Sequence, residues 1–155
     1  MEAAQESILG RVRAIWRYPI KSMLGEELLT ADVTGRGLRG DRAFALVDQE
    51  TGKVVSAKNP RKWPNLFSYH ATYTSPPMAG LAVPPVRVTL PDGGFAVSSS
   101  PDFAPTLSRT LGRSVTLLTS PPPYALLDQP RGWVDVDVVE DVGHGRVGQR
   151  ARARP

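Results

Sequence analysis

The sequence contains no cysteine and only two histidines, His70 and His144, among 155 residues. Without cysteine the chain cannot form disulfides, thiolate metal sites, iron–sulfur clusters or a cysteine nucleophile. The two histidines are far apart in sequence and lack the spacing of metal ligands, so a self-contained zinc or Ser-His-Asp enzyme is hard to build here. The absence of cysteine also fits a reducing compartment.

Long hydrophobic runs are missing as well, and none approaches the ~20 apolar residues that a membrane span needs. The first ten residues carry Glu2 and Glu6 but no basic residue, which argues against a secretory signal. We therefore expect a cytoplasmic protein without membrane contact. The four arginines of 143–155 account for the whole formal net charge of +4. Such unpatterned charge is weak support for nucleic-acid binding, and we expect no nucleic-acid partner.

The hydrophobic pattern predicts a mainly β fold with one α-helix, arranged as a small β-barrel of short antiparallel strands. In the first predicted strand, the apolar side carries Trp16 and Tyr18 and the polar side carries Arg17. Strands are predicted at 8–19, 26–34, 43–47, 54–58, 67–74, 86–90, 95–97, 115–119 and 133–139, with hairpin turns at 48–53 and 91–94.

The predicted helix lies near 101–111, with Ser100 as its N-cap and Gly112 at its end. Its buried face would carry Phe103, Leu107 and Leu111, which repeat every four residues. The predicted organisation is an N-terminal tail at 1–7, a domain at 8–119 and a Pro/Arg-rich segment at 120–155 that we expect to be poorly ordered or truncated.

Three loops between strands carry clustered cations. The first holds Lys21 and Ser22, the second holds Arg39 and Arg42 between glycines, and the third holds Lys58. If these loops share one edge of the sheet, their cations, the hydroxyl and free backbone N–H groups would form a pocket for an anion.

Each motif taken alone fits solvated surface cations better than a binding site. In that interpretation Asp41 pairs with Arg39 or Arg36 as an exposed ion pair, which is worth ~0–1 kcal/mol. His70 falls on the polar side of its predicted strand, and an exposed or hydrogen-bonded histidine is expected there rather than a catalytic one.

The order of the motifs resembles the N-terminal β-barrel domain of MOSC proteins, a molybdenum-enzyme group that includes the mitochondrial amidoxime-reducing component and bacterial relatives. The resemblance is carried by YPIKS at 18–22, GRGLRGDRAFALVD at 35–48 and GKVVSAK at 52–58, followed by Pro60. It covers about residues 8–119. Three motifs in this order are far more specific than any one alone.

In that family the N-terminal domain packs against a C-terminal MOSC domain, with the molybdopterin cofactor between them. The resemblance implies that Lys21, Ser22 and Arg42 contact the cofactor, and Arg39 and Lys58 are second-rank candidates by position. A pterin that carries a phosphate suits a lysine charge, a planar arginine and short hydroxyl donors. The family's molybdenum ligand is a cysteine of the C-terminal domain, so the resemblance assigns this chain no catalytic residue and no metal ligand.

The complete enzyme would reduce N-hydroxylated or similar substrates with a redox partner. After about Asp128 this chain loses the family's continuation, so we expect a truncated or frame-shifted reading, or an excised domain, without autonomous catalysis. Its expected partner is the C-terminal MOSC domain or a chain that supplies it, and a face left uncovered would favour self-association. The alternative is a non-catalytic β module that binds an anion or an acidic partner.

Overall fold

The computed structural model describes residues 10–35 and 37–121, and these residues form short strands and one α-helix, as the sequence predicts. A short 3-10 helix (Leu66–Ser68) precedes the sixth strand. The other elements are β1 (Ile15–Arg17), β2 (Glu26–Leu28), β3 (Val33–Thr34), β4 (Gly37–Leu38), β5 (Phe44–Asp48), β6 (His70–Tyr73), β7 (Val86–Thr89), β8 (Phe95–Val97), α1 (Phe103–Leu111) and β9 (Val115–Thr119).

The strands of the described residues form four small antiparallel sheets, ordered β1–β2, β3–β4, β5–β9 and β6–β7–β8. The segment 18–24 connects two of these sheets. Its Ile20 bridges to Phe44 at the start of β5, and its Leu24 bridges to His70 at the start of β6. The helix α1 packs against β8 and β9, so one core lies between the sheets, the segment 18–24 and the helix.

The core contains the apolar residues that alternation and helical spacing predict on the inner faces. Phe103 and Leu107 of α1 are buried, and the strands contribute side chains such as Leu46, Ala71 and Val88. The hairpin predicted between 86–90 and 95–97 is present as β7 and β8.

The helix ends where the sequence predicts but begins later. Gly112 adopts φ 69°, and its N–H donates to the carbonyl oxygens of Arg109 and Ser108. The N-cap is Asp102 rather than Ser100. Ser100 Oγ instead accepts the N–H of Asp102 at 3.3 Å, which stabilises a turn before the helix.

Four predicted strands are wrong in extent. Of the predicted strand 8–19, only β1 (Ile15–Arg17) forms a strand among the described residues. The predicted strand 54–58 is reduced to one bridge between Val47 and Val54. The segment 18–21 occupies the start of that edge of β5, where Phe44 bonds to Pro19 and Lys21, so only the end of the edge is left for residues 53–55. The predicted strand 26–34 is divided into β2 and β3, and Leu29 between them is fully exposed. The start of the predicted strand 67–74 forms part of the 3-10 helix.

Several sequence predictions lie outside the described residues: the tail 1–7, the strand 133–139 and, apart from Ser120 and Pro121, the segment 120–155. Among the residues that the structure does describe, no helix has the length and hydropathy of a membrane span.

A buried ion pair anchors the loop that follows β5. The Asp48 carboxylate is 1% exposed, accepts the Lys62 ammonium at 2.6 Å and the Thr51 hydroxyl at 2.7 Å, and accepts the N–H of Glu50 at 3.2 Å. Burial alone would raise the pKa of Asp48, but these hydrogen bonds outweigh burial and lower the pKa below its ordinary value of 3.8. The pair therefore ties the loop 49–62 to the core.

We predict that Asp48→Asn lowers the free energy of unfolding at neutral pH by about 3 kcal/mol, because it removes the carboxylate charge that faces the largely buried ammonium of Lys62. Since the folded-state pKa of Asp48 lies below the unfolded one, its contribution is complete above about pH 4 and is lost as the pH falls through the folded value. The difference between wild type and variant should therefore narrow towards acid pH.

Urea denaturation between pH 3 and pH 7 measures both effects. Glu50→Gln is the matched control, since Glu50 is exposed and its pair with Arg113 at 3.3 Å should contribute only ~0–1 kcal/mol. Equal losses in the two variants would contradict the proposed anchor.

Candidate anion-binding site

Two of the three cationic loops are joined through the backbone of Tyr18. Its N–H donates to Asp41 Oδ1 at 2.8 Å, and its carbonyl oxygen accepts the N–H of Arg42 at 2.7 Å. The next residue continues the contact, because Pro19 O accepts the N–H of Phe44 at 3.0 Å. The loop 18–22 and the loop 37–42 are therefore held side by side at the start of β5.

Backbone strain is concentrated at this place. Among the described residues, the non-glycine residues with positive φ are Ser22 (66°), Arg42 (50°) and Ser120 (53°). Ser120 N donates to the carbonyl oxygen of Ala43 at 2.7 Å, and the residue before Ser22 donates its N–H to the carbonyl oxygen of Phe44 at 3.0 Å. Ser120 and Lys21, the neighbour of Ser22, are thus hydrogen-bonded to the segment 42–44, and strain of this kind clusters at ligand-binding sites.

The guanidinium of Arg42 is oriented from two sides. Its Nη1 pairs with Asp41 Oδ2, and its Cζ lies 5.6 Å from the centre of the Tyr18 ring. The side chain nevertheless remains 59% exposed. The surface-charge interpretation expected Asp41 to pair with Arg39 or Arg36. The pairing with Arg39 is wrong, because Asp41 pairs with Arg42, and Arg36 lies outside the described residues.

The third loop reaches the first through Ser22. The Oγ atom of Ser22 accepts the N–H of Ala57 at 3.2 Å, and its own hydroxyl hydrogen is a donor for another acceptor. Lys58 follows directly, with an exposed side chain and an N–H that donates to Ser56 Oγ at 3.3 Å. Lys21, beside Ser22, is half-buried.

The structure thus brings together the loops of four predicted site residues, Lys21, Ser22, Arg42 and Lys58. The fifth, Arg39, lies in the same turn, but its Nε donates to Asp32 Oδ2 at 3.1 Å. The donor set of ammonium, guanidinium and hydroxyl groups fits a phosphate. No group of three His, Cys, Asp or Glu side chains that could hold a metal occurs within residues 10–35 and 37–121.

His70 is half-buried and makes a structural contact. Its Nε2 donates to the carbonyl oxygen of Gly25 at 2.5 Å, which connects the start of β6 to the start of β2. This agrees with the expectation of a hydrogen-bonded histidine.

Arg17 and Tyr73 hydrogen-bond to the backbone of the turn that carries Arg42, and the sequence pattern predicted neither contact. Arg17 is only 9% exposed, so the predicted strand has the opposite orientation to the one expected: Arg17 points inward and Trp16, at 47% exposure, points outward. Burial raises the pKa of Tyr73 to about 12, and nearby Arg17 opposes that shift. The signal available in the sequence was the complementary charge of Glu26, which pairs with Arg17 at 2.8 Å.

The strain at Arg42 generates a prediction that is independent of any ligand. Arg42→Gly and Arg42→Ala both delete the side chain, but only alanine keeps a Cβ at φ 50°. The left-handed conformation costs a non-glycine residue about 1–2 kcal/mol, and the greater freedom of glycine in the unfolded chain offsets about 0.4–1 kcal/mol of that difference.

We therefore expect Arg42→Gly to be more stable than Arg42→Ala by about 0.5–1 kcal/mol in urea denaturation. As a control, Arg87→Gly should be less stable than Arg87→Ala, because Arg87 lies within the strand β7. The same order at both positions would contradict the strained backbone.

Comparison with known proteins places the chain in a family. The family model described as the MOSC N-terminal beta barrel domain matches residues 9–95, which include all three cationic loops. Searches of curated proteins and of solved structures found no match. Because the family model covers more than half of the sequence, the chain belongs to the MOSC N-terminal beta barrel domain family.

Proposed function

We propose that this domain binds the phosphate-bearing end of the molybdenum cofactor and contributes to the substrate pocket of a MOSC-type oxidoreductase. The observation that carries the proposal is the junction of the loops 18–22 and 37–42 around Tyr18, with Ser22 and Arg42 both held at positive φ. Membership of the MOSC N-terminal family supports the choice of ligand.

Each candidate residue has a distinct part in the proposed site. Arg42 supplies a planar cation that can donate two parallel hydrogen bonds to phosphate oxygens, and Lys21 supplies a compact charge. Ser22 supplies a hydroxyl whose oxygen is fixed by the N–H of Ala57. Lys58 adds a cation at the exposed rim.

The cofactor, when bound, supplies the molybdenum centre for the redox chemistry. With no cysteine anywhere in the sequence, this chain cannot provide the thiolate ligand that the family resemblance implies. We propose that a C-terminal MOSC domain, on a separate chain or on a longer form of this protein, provides that ligand. This domain then holds and orients the cofactor's anionic end.

Binding of purified molybdopterin to Lys21→Ala/Arg42→Ala tests the proposal directly. We expect an affinity at least about 100-fold below that of wild type, because each of the two side chains loses at least one charge-assisted hydrogen bond of about 1.5 kcal/mol. Calorimetry at physiological ionic strength measures the affinity, after circular dichroism has established that each protein is folded.

Lys53→Ala/Arg109→Ala is the matched control, since it removes the same two charges from exposed positions away from the site. An equal loss of affinity in the control variant would show that net charge, and not a specific site at Lys21 and Arg42, accounts for the binding. Absence of binding by folded wild type would contradict the proposal and favour the alternative, a non-catalytic module that binds another anion or an acidic partner.

A further inference from the structure

In the loop 37–42, the two consecutive carbonyl oxygens that precede Asp41 each accept a hydrogen bond from a side chain of another strand. Arg17 Nη1 donates to the carbonyl oxygen of Arg39 at 3.3 Å, and the Tyr73 hydroxyl donates to the carbonyl oxygen of Gly40 at 2.6 Å. Because both carbonyls are held from the same side, the peptide planes before Asp41 are fixed in orientation.

The two donors are themselves locked together. Arg17 Cζ lies 4.8 Å from the centre of the Tyr73 ring, which is a cation–π distance. The Nε and Nη2 atoms of Arg17 both donate to Glu26 Oε1, at 2.9 and 2.8 Å. Glu26 therefore neutralises a nearly buried guanidinium and sets its plane, so Arg17 acts here as a structural donor and not as a ligand-binding cation.

Close packing leaves this turn little freedom to move. Gly40 has φ 79°, and a Cβ there would lie 2.8 Å from Pro77 and 3.0 Å from the Tyr73 ring. On the other side of the chain, a Cβ at Gly25 would lie 2.1 Å from the carbonyl oxygen of Arg17. The fit requires glycine at both places: at Gly40 it lets the Tyr73 side chain approach the turn, and at Gly25 it lets the backbone of Arg17 approach the start of β2.

We propose that Tyr73 and Arg17 are positioning residues for the anion site: they hold the carbonyls of Arg39 and Gly40 so that Arg42 is presented to the ligand in one orientation. This inference rests on the proposed function for the ligand. The effect of Tyr73 on the turn itself can be measured without any ligand. Neither residue would touch the cofactor.

Tyr73→Phe is the sharpest test, because it deletes one hydroxyl and keeps the ring beneath Arg17. In the ligand-free protein we expect faster hydrogen–deuterium exchange at the amides of Asp41 and Arg42, which donate to Leu38 O and Tyr18 O. Ser108→Ala is the matched control: Ser108 Oγ donates to the carbonyl oxygen of Val115 at 3.3 Å, next to the far end of β5. It should leave both amides unchanged.

A double-mutant cycle then separates positioning from a general loss of stability. Tyr73→Phe should weaken molybdopterin binding by about threefold to tenfold, the equivalent of one hydrogen bond. If Tyr73 acts through Arg42, this loss should disappear in the Arg42→Ala background. Arg17→Lys, which keeps the charge beside Glu26 but shortens the reach to Arg39, should behave in the same way.

The outcomes discriminate between the two proposals. Unchanged exchange at Asp41 and Arg42 in Tyr73→Phe overturns the positioning role, whether or not the ligand binds. Faster exchange with unchanged affinity, or with a loss that persists in Arg42→Ala, also overturns it. If folded wild type binds no molybdopterin, the proposed function fails, and with it any role of Tyr73 in binding; the exchange data then report only whether Tyr73 holds the turn.

Discussion

The hydrogen bonds on both sides of Tyr18 are the constraint on which the rest of the structure depends. They fix the segment 18–24 against the start of β5, and the same segment then reaches β6 through Leu24. The sheet β5–β9 and the sheet β6–β7–β8 share no ladder of their own, so within the described residues this segment makes the backbone connection between them. The loop that carries Lys21 and Ser22 therefore has a structural role, in joining the two sheets, in addition to its candidate role in binding.

This arrangement explains why strain and buried charge occur together at one end of the fold. A chain that must turn sharply between two sheets uses left-handed residues, and here two of them are Ser22 and Arg42 rather than glycine. Side chains hold such residues in place, and Arg17 does so with nearly all of its surface buried. The ion pair of Arg17 with Glu26 does not by itself explain why these residues are present, because buried ion pairs often stabilise a fold no more than hydrophobic contacts do. Arginine and tyrosine are needed at positions 17 and 73 because each must donate a hydrogen bond in a fixed direction, to the neighbouring carbonyl oxygens of Arg39 and Gly40.

The sequence predicted correctly the elements that depend on neighbouring residues. It did not predict the features that depend on residues distant in the chain. The hairpin of β7 and β8 and the end of α1 at Gly112 follow from turn residues and helical spacing, and both are confirmed. The orientation of β1 could not be predicted from alternation, because Arg17 is buried by partners at positions 26, 39 and 73. The loops of the candidate site were found from their composition, but the pairing of Asp41 with Arg42 depends on how the turn is folded and not on spacing.

The pairing of Arg42 with Asp41 is compatible with anion binding when the magnitudes are compared. An exposed ion pair contributes ~0–1 kcal/mol, because water and salt screen it, and the Arg42 side chain is 59% exposed. A phosphate at the same exposed position carries more negative charge than a carboxylate and accepts two parallel hydrogen bonds from a guanidinium, so it can share or displace the carboxylate. Asp41 is in any case retained by the N–H of Tyr18, which its other oxygen accepts. Its carboxylate therefore orients the guanidinium without blocking it, and the phosphate of the proposed ligand would meet an arginine that is already aligned.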